Sequence, residues 1–181
     1  ATVYRPYYPR LMAYGRKFTS EMSVIEDCIQ ELFVQFWIAR NRLDGVQSIR
    51  SYLFVSFRHS LLKALEKLTR PEQDLLHGEE AGFSIEASIE QVMINRECLY
   101  ESKVNLEAAL EKLTGRQKEA VFLMFYEGMR YEEIAQVLQI STKATYKLMA
   151  RAIGELRTTY KQNAAFWTVT LPAFLTSLLC V

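Results

Sequence analysis

The 181-residue chain holds only three cysteines, Cys28, Cys98 and Cys180. They lie far apart without paired spacing, which argues against a disulfide framework or a zinc site and for a reducing compartment. Glycine and proline are also sparse, at seven and four. No alternating run bounded by hairpin turns occurs, so the reading is all-α. An uninterrupted apolar stretch of the roughly 20 residues that a spanning helix needs is missing. The opening residues, with Arg5, Pro6 and Pro9, are not followed by an apolar run of signal-peptide length. Neither sign of charge prevails, since 22 Lys and Arg stand against 21 Asp and Glu.

What is present is hydrophobic matter in helical patterns. Half the residues are hydrophobic, enough for a core, which excludes disorder for most of the chain. The balanced total hides an uneven distribution: Arg5, Arg10, Arg16 and Lys17 make the start basic, Glu72 to Glu101 is acidic, and Lys143 to Lys161 is basic again. Local patches therefore matter more than the net charge.

In chain order, Val3 to Phe18 predicts a first helix entered through Pro6 and Pro9, and Ser20 or Ser23 is placed to cap a second. In the second, Ile25, Ile29, Leu32, Phe33 and Phe36 recur at helical spacing on a buried face. Its other side carries Asp27, Gln30, Glu31, Val34 and Trp37. A monomer has no reason to keep such an acidic and aromatic stripe beside solvent, unless it is ordinary surface with one stray Trp. After a loop over 41–48, a third helix from Ile49 to Leu68 has Leu53, Phe57, Leu61, Ala64, Leu65 and Leu68 as its core stripe. Tyr52, Phe54 and Phe57 lie among Arg50, Arg58, His59, Lys63 and Lys67, an interleaving suited to stacking on unpaired bases beside a phosphate track. The competing reading makes the rings core, and for Phe57 core is preferred. His59 has no second ligand near it in sequence, so no metal is expected.

Pro71 ends the third helix. From Glu72 onward the composition predicts a flexible acidic linker, with Gly78 and Gly82. Ser88 to Leu113 is helical again, Thr114 caps a further helix to Tyr126, and Gly128 stops it. Then comes the most informative stretch, Tyr131 to Thr158. Ile134, Ala135, Val137 and Leu138 fall at helical spacing, Gln139-Ile140-Ser141 breaks the pattern, and Leu148, Ala152, Ile153 and Leu156 resume it. The pattern predicts a helix-turn-helix in which Ser141 caps the second helix. That helix presents Thr142, Lys143, Thr145, Tyr146, Lys147 and Arg151, donors for phosphates and base edges in a major groove. Taken alone, the same pattern also fits a helical hairpin with a solvated basic face.

The order of parts resembles an extracytoplasmic-function (group IV) sigma factor of the bacterial sigma-70 superfamily. Tyr8-Pro9-Arg10-Leu11 is similar to the family's opening helix. Glu26 to Phe33, with Phe36-Trp37, resembles its polymerase-binding helix, and Ser51-Tyr52-Leu53 with Arg58-His59 its promoter-opening segment. Leu113-Thr114 with Gln117, and Tyr131-Glu132-Glu133-Ile134-Ala135 through Ile140-Ser141, resemble the domain that reads the upstream element. The chain departs from the family pattern at His59, where Asn is usual, and at Lys63, where an acidic residue is usual. At Tyr146 and Leu148 the family's recognition helix is usually more basic.

The resemblance implies two small helical domains. Residues 1–69 form a region 2-like domain, 70–88 an acidic linker, 89–163 a region 4-like helix-turn-helix domain, and 164–181 a hydrophobic tail. It implies that Asp27, Gln30, Glu31, Phe33 and Trp37 dock on core RNA polymerase. Asn41, Arg42, Asp44, Tyr52, Arg58 and His59 would serve the -10 element, and Thr142, Lys143, Thr145, Tyr146, Lys147 and Arg151 the -35 element. Partners are then core polymerase, promoter DNA and an anti-sigma factor in the bacterial cytoplasm. No catalytic residue, cofactor, metal or small-molecule substrate is expected. The apolar tail, interrupted by Pro172, is expected to fold back on a domain, or else to add a core helix or an oligomer contact. A stand-alone dimeric helix-turn-helix regulator remains the rival function, with an all-α adaptor third.

Overall fold

A computed structural model describes residues 3–40, 48–69, 83–85 and 108–160. Among these there is no strand. The helices are α1 (Tyr4–Gly15), α2 (Met22–Ala39), α3 (Ile49–Thr69), α4 (Gly115–Val121) with a π-helical continuation Phe122–Tyr126, α5 (Tyr131–Leu138) and α6 (Thr142–Tyr160). Asn41, Arg42 and Asp44, most of the acidic linker, the helix predicted from residue 88 up to residue 107, Cys98, Cys180 and the tail lie outside the described residues. The chain divides into two compact units, one holding α1 to α3 and the other beginning at Phe83 and holding α4 and α6. No helix among the described residues is long and apolar enough to cross a membrane.

The first unit is built on rings. Tyr14 is wholly buried, with Phe18 and Phe54 each 5.2 Å away and Phe57 at 6.2 Å, centroid to centroid. Leu11, Ile25, Ile29, Leu53 and Leu61 complete that core. Phe54 therefore belongs to the interior and not to a nucleic-acid face, because its position places it against Tyr14 of α1. Leu68, predicted as core, is exposed. The three helices close on Gly15, where an added Cβ would stand 2.7 Å from Ile25 Cγ2 and 3.1 Å from Phe57 Cζ. Only the absent side chain permits this approach.

Local signals set the helix ends with some surprises. α1 starts before both of its prolines, with Pro9 inside it. Neither predicted serine caps α2: its N-cap is Glu21, whose N–H donates to Thr19 Oγ1 at 3.1 Å. Ser48, read as loop, accepts from the Ser51 N–H at 3.2 Å and so caps the first turn of α3.

In the second unit, Thr114 caps the helix as expected, and with Gln117 it completes a capping box. Thr114 Oγ1 accepts from the Gln117 N–H at 3.3 Å, and Gln117 Oε1 accepts from the Thr114 N–H at 2.8 Å. Such a cap is worth about 1 kcal/mol. The helix then widens into π geometry over Phe122–Tyr126 and ends at Gly128, whose φ of 63° favours glycine. Phe83 and Ile85, which composition places in the linker, pack on this unit. Phe83 is buried with its ring 5.8 Å from Phe122, and Ile85 packs on Leu110, Leu113 and Ala152.

Candidate protein and nucleic-acid interfaces

Two helices carry the candidate surfaces, and each is fixed by its buried side. On α2, Ile25, Cys28, Ile29 and Leu32 face the core. The opposite side leaves Asp27, Gln30 and Glu31 exposed, with Val34, Trp37 and Ile38 beyond them at 56, 64 and 67% exposure. Three large apolar side chains more than half exposed within five positions make a contiguous patch, not a stray residue. Trp37 is held in place: the Arg40 guanidinium lies 4.5 Å from its ring centroid, and Arg40 Nη1 donates to the Trp37 carbonyl at 2.8 Å. Sequence reading missed Arg40 and Ile38, although spacings of three and four from Trp37 and Val34 mark both. Phe33 does not join the patch. It is half-buried, with the Tyr4 ring 4.8 Å away, and so belongs to the seam between α1 and α2.

Cys28 lies under the acidic stripe as a free, buried thiol. Burial first, then the nearby Glu31 and Asp27 carboxylates, push its pKa above the ordinary thiol value. A protonated buried thiol is a small hydrophobe and not a nucleophile. A groove between α2 and α3 passes over it, with Asp27 and Glu31 on one wall and His59, Lys63 and Lys67 on the other. His59 is exposed, Arg58 half-buried, and Tyr52 half-buried with its ring 6.1 Å from Phe36. The structure thus brings Tyr52, Arg58 and His59 onto one helix, while Asn41, Arg42 and Asp44 lie outside the described residues.

The second surface is the helix-turn-helix. α5 begins with the buried Glu133 carboxylate accepting from the Arg130 N–H at 3.0 Å, and acidic groups suit that end of the helix dipole. Its end is a Schellman arrangement. Gln139, at a φ of 53°, donates its N–H to the Gln136 carbonyl at 3.2 Å, and the Ile140 N–H reaches the Ala135 carbonyl at 3.0 Å. Ser141 then caps α6, its Oγ accepting from the Ala144 N–H at 3.2 Å. A one-residue left-handed step between two capped helices fixes their angle.

The inner side of α6 is Thr145, Met149 and Ala152, all wholly buried. This corrects two expectations. Thr145 cannot present a donor to DNA, because it is interior and its hydroxyl donates to the Ser141 carbonyl at 3.2 Å. The apolar stripe is also turned: Met149 takes the buried place, and Leu148 is half-buried. Thr142 is half-buried too, while Lys143, Tyr146, Lys147 and Arg151 share the exposed side. Tyr146 is stacked on Tyr131, the first residue of α5, with centroids 4.1 Å apart and planes 20° from parallel.

A ring-built three-helix unit, an apolar and acidic face on α2, and a basic recognition helix in a second unit define a two-domain helix-turn-helix protein of the sigma-70 kind. Residues 3–70 match the Sigma-70 region 2 family, and residues 103–156 match Sigma-70, region 4. The chain belongs to the sigma-70 superfamily, in its extracytoplasmic-function class. Among curated relatives it is 25% identical over 174 residues to the ECF RNA polymerase sigma factor SigG of Mycobacterium tuberculosis, covering 84% of this chain and 46% of SigG. It therefore spans about half the length of that relative. It is 23% identical over 155 residues to the RNA polymerase sigma factor YlaC of Bacillus subtilis, covering 86% of this chain and 88% of YlaC. In fold it is similar to the sigma factor RpoE of Bartonella quintana, solved in complex with the anti-sigma factor NepR. There the TM-score is 0.60 at 21% identity, over 88% of this chain and 95% of that one.

Proposed function

We propose that the chain is a promoter-specificity subunit that binds bacterial core RNA polymerase and directs transcription initiation. The observation that carries this reading is the joint presence, in order, of a region 2 and a region 4 match in one chain. The exposed faces of α2 and α6 suit the two partners such a pairing requires. Asp27, Gln30, Glu31 and Trp37 dock on the polymerase, with Val34 and Ile38 extending the apolar contact. An interface core of aromatic and aliphatic side chains rimmed by charge is the composition that protein partners bury. Asn41, Arg42 and Asp44, with Tyr52, Arg58 and His59, serve the -10 element, where an unstacked base and a phosphate track are read together. Lys143, Tyr146, Lys147 and Arg151 meet the -35 element, their positive charge supplying sequence-independent attraction to phosphates.

This role asks no covalent step of the chain. It places the protein in the bacterial cytoplasm with its polymerase, and under control of an anti-sigma factor, since the similar RpoE was solved with one. Purified core polymerase pulled down with the chain, and with a Glu31→Lys, Trp37→Ala variant, tests the reading. Binding by the wild type and its loss in the variant is the expected result. No binding by the wild type, and none after deletion of residues 164–181, would replace this reading with the dimeric regulator.

A further inference from the structure

We propose that Tyr146 reads the methyl group of a thymine in the upstream promoter element, and that Tyr131 is the residue that positions it. This rests on the promoter-binding reading above and adds which base feature is recognised and how. Tyr146 is the fifth residue of α6 and so lies in the N-terminal part of a recognition helix, the part that meets base edges. It is 51% exposed, with one ring face turned to Tyr131 at 4.1 Å. Stacking at that distance removes the rotational freedom of an otherwise exposed aromatic side chain. What remains outward is an ordered apolar edge with a hydroxyl at its tip.

The neighbours differ in kind. Lys143 and Lys147 are exposed on the same side of α6. Each is a flexible stem ending in a point charge, suited to phosphates and poor at telling bases apart. Beside them, the rigid ring offers mainly apolar surface. In the major groove the thymine C5-methyl is the apolar base feature, so a fixed ring edge there favours thymine.

The full chain in complex with purified core polymerase first selects duplexes from a library randomised across the upstream element. Each thymine of the selected duplex is then replaced singly by uracil, which removes only the methyl. At one position the wild type is expected to weaken about fourfold, the worth of one buried carbon. Tyr146→Ala should bind the thymine and uracil forms of that site equally. Tyr131→Ala should bring the thymine-to-uracil ratio toward one, and Tyr131→Phe, which keeps the stack, should retain it. A merely structural Tyr131 would weaken both forms alike and leave the ratio intact, and that result overturns its positioning role. A selected duplex without thymine, or one indifferent to uracil at every position, overturns the proposal while the sigma reading stands. A complex that selects no duplex overturns both.

Discussion

α2 and α6 are built by one rule and finished by opposite ones. Each is an amphipathic helix pinned by a buried stripe, Ile25, Cys28, Ile29 and Leu32 on α2, and Thr145, Met149 and Ala152 on α6. Outside, α2 shows carboxylates and a patch of Val34, Trp37 and Ile38, whereas α6 shows Lys143, Lys147 and Arg151 around a single ordered ring. A contiguous apolar patch left outside suits another apolar surface, which is why we propose a protein partner for α2. Like charges gathered on one helix repel one another and are relieved by a polyanion, which is why we propose nucleic acid as the partner of α6. The inner faces make the fold; in the proposed function the outer faces divide the partners.

The strongest way to break this comparison is to cross the line between inner and outer. Phe57 is wholly buried where α1 and α3 meet, and Phe57→Ala should lower the unfolding free energy by about 3–5 kcal/mol, read by urea denaturation. Trp37→Ala, on the outer face, should move the same transition by less than about 0.5 kcal/mol. Equal losses would mean that the Trp37 face is core and no interface. Next in size is the charge of α6. Lys147→Ala should reduce the slope of log affinity against log salt for promoter DNA by about one, and leave core-polymerase binding unchanged. An unaltered slope would remove Lys147 from the phosphate contacts.

Much of this arrangement is legible in the sequence, because helical periodicity and caps are local. Ile25, Ile29 and Leu32 announce the inner face of α2, and Thr114 announces a cap that forms as read, while the reciprocal bond to Gln117 goes beyond that reading. What escapes depends on neighbours distant in sequence. Phe54 reads as an aromatic among bases until Tyr14 of α1 is placed against it. Thr145 reads as a donor because threonine is polar. Its hydroxyl is satisfied one turn back at the Ser141 carbonyl, which frees the side chain to be buried. Gly15 carries no pattern at all, and only the approach of Ile25 and Phe57 gives it meaning. The Tyr131–Tyr146 stack was hidden for the same reason, since fifteen positions and a turn separate its partners.

The smallest effect tests the acidity of the α2 face from beneath. Cys28 is buried, and burial, with Glu31 and Asp27 adding to it, raises its thiol pKa in the folded chain. In the unfolded chain the thiol titrates near its ordinary value of about 8.5. Between those two values the folded state holds a proton that the unfolded state has released, so stability falls as pH rises through that window and is constant below it. Urea unfolding at pH 7 to 10 should therefore show a wild-type decline above about 8.5 that Cys28→Ala lacks, after subtraction of a pH-independent cost for the lost sulfur. Glu31→Gln should reduce the decline without abolishing it, because the carboxylate is the lesser cause and burial persists. A wild-type-minus-variant difference that stays flat across the range would show that the thiol feels neither burial nor the stripe above it. The acidic character assigned to that face would then have to rest on its exposed residues alone.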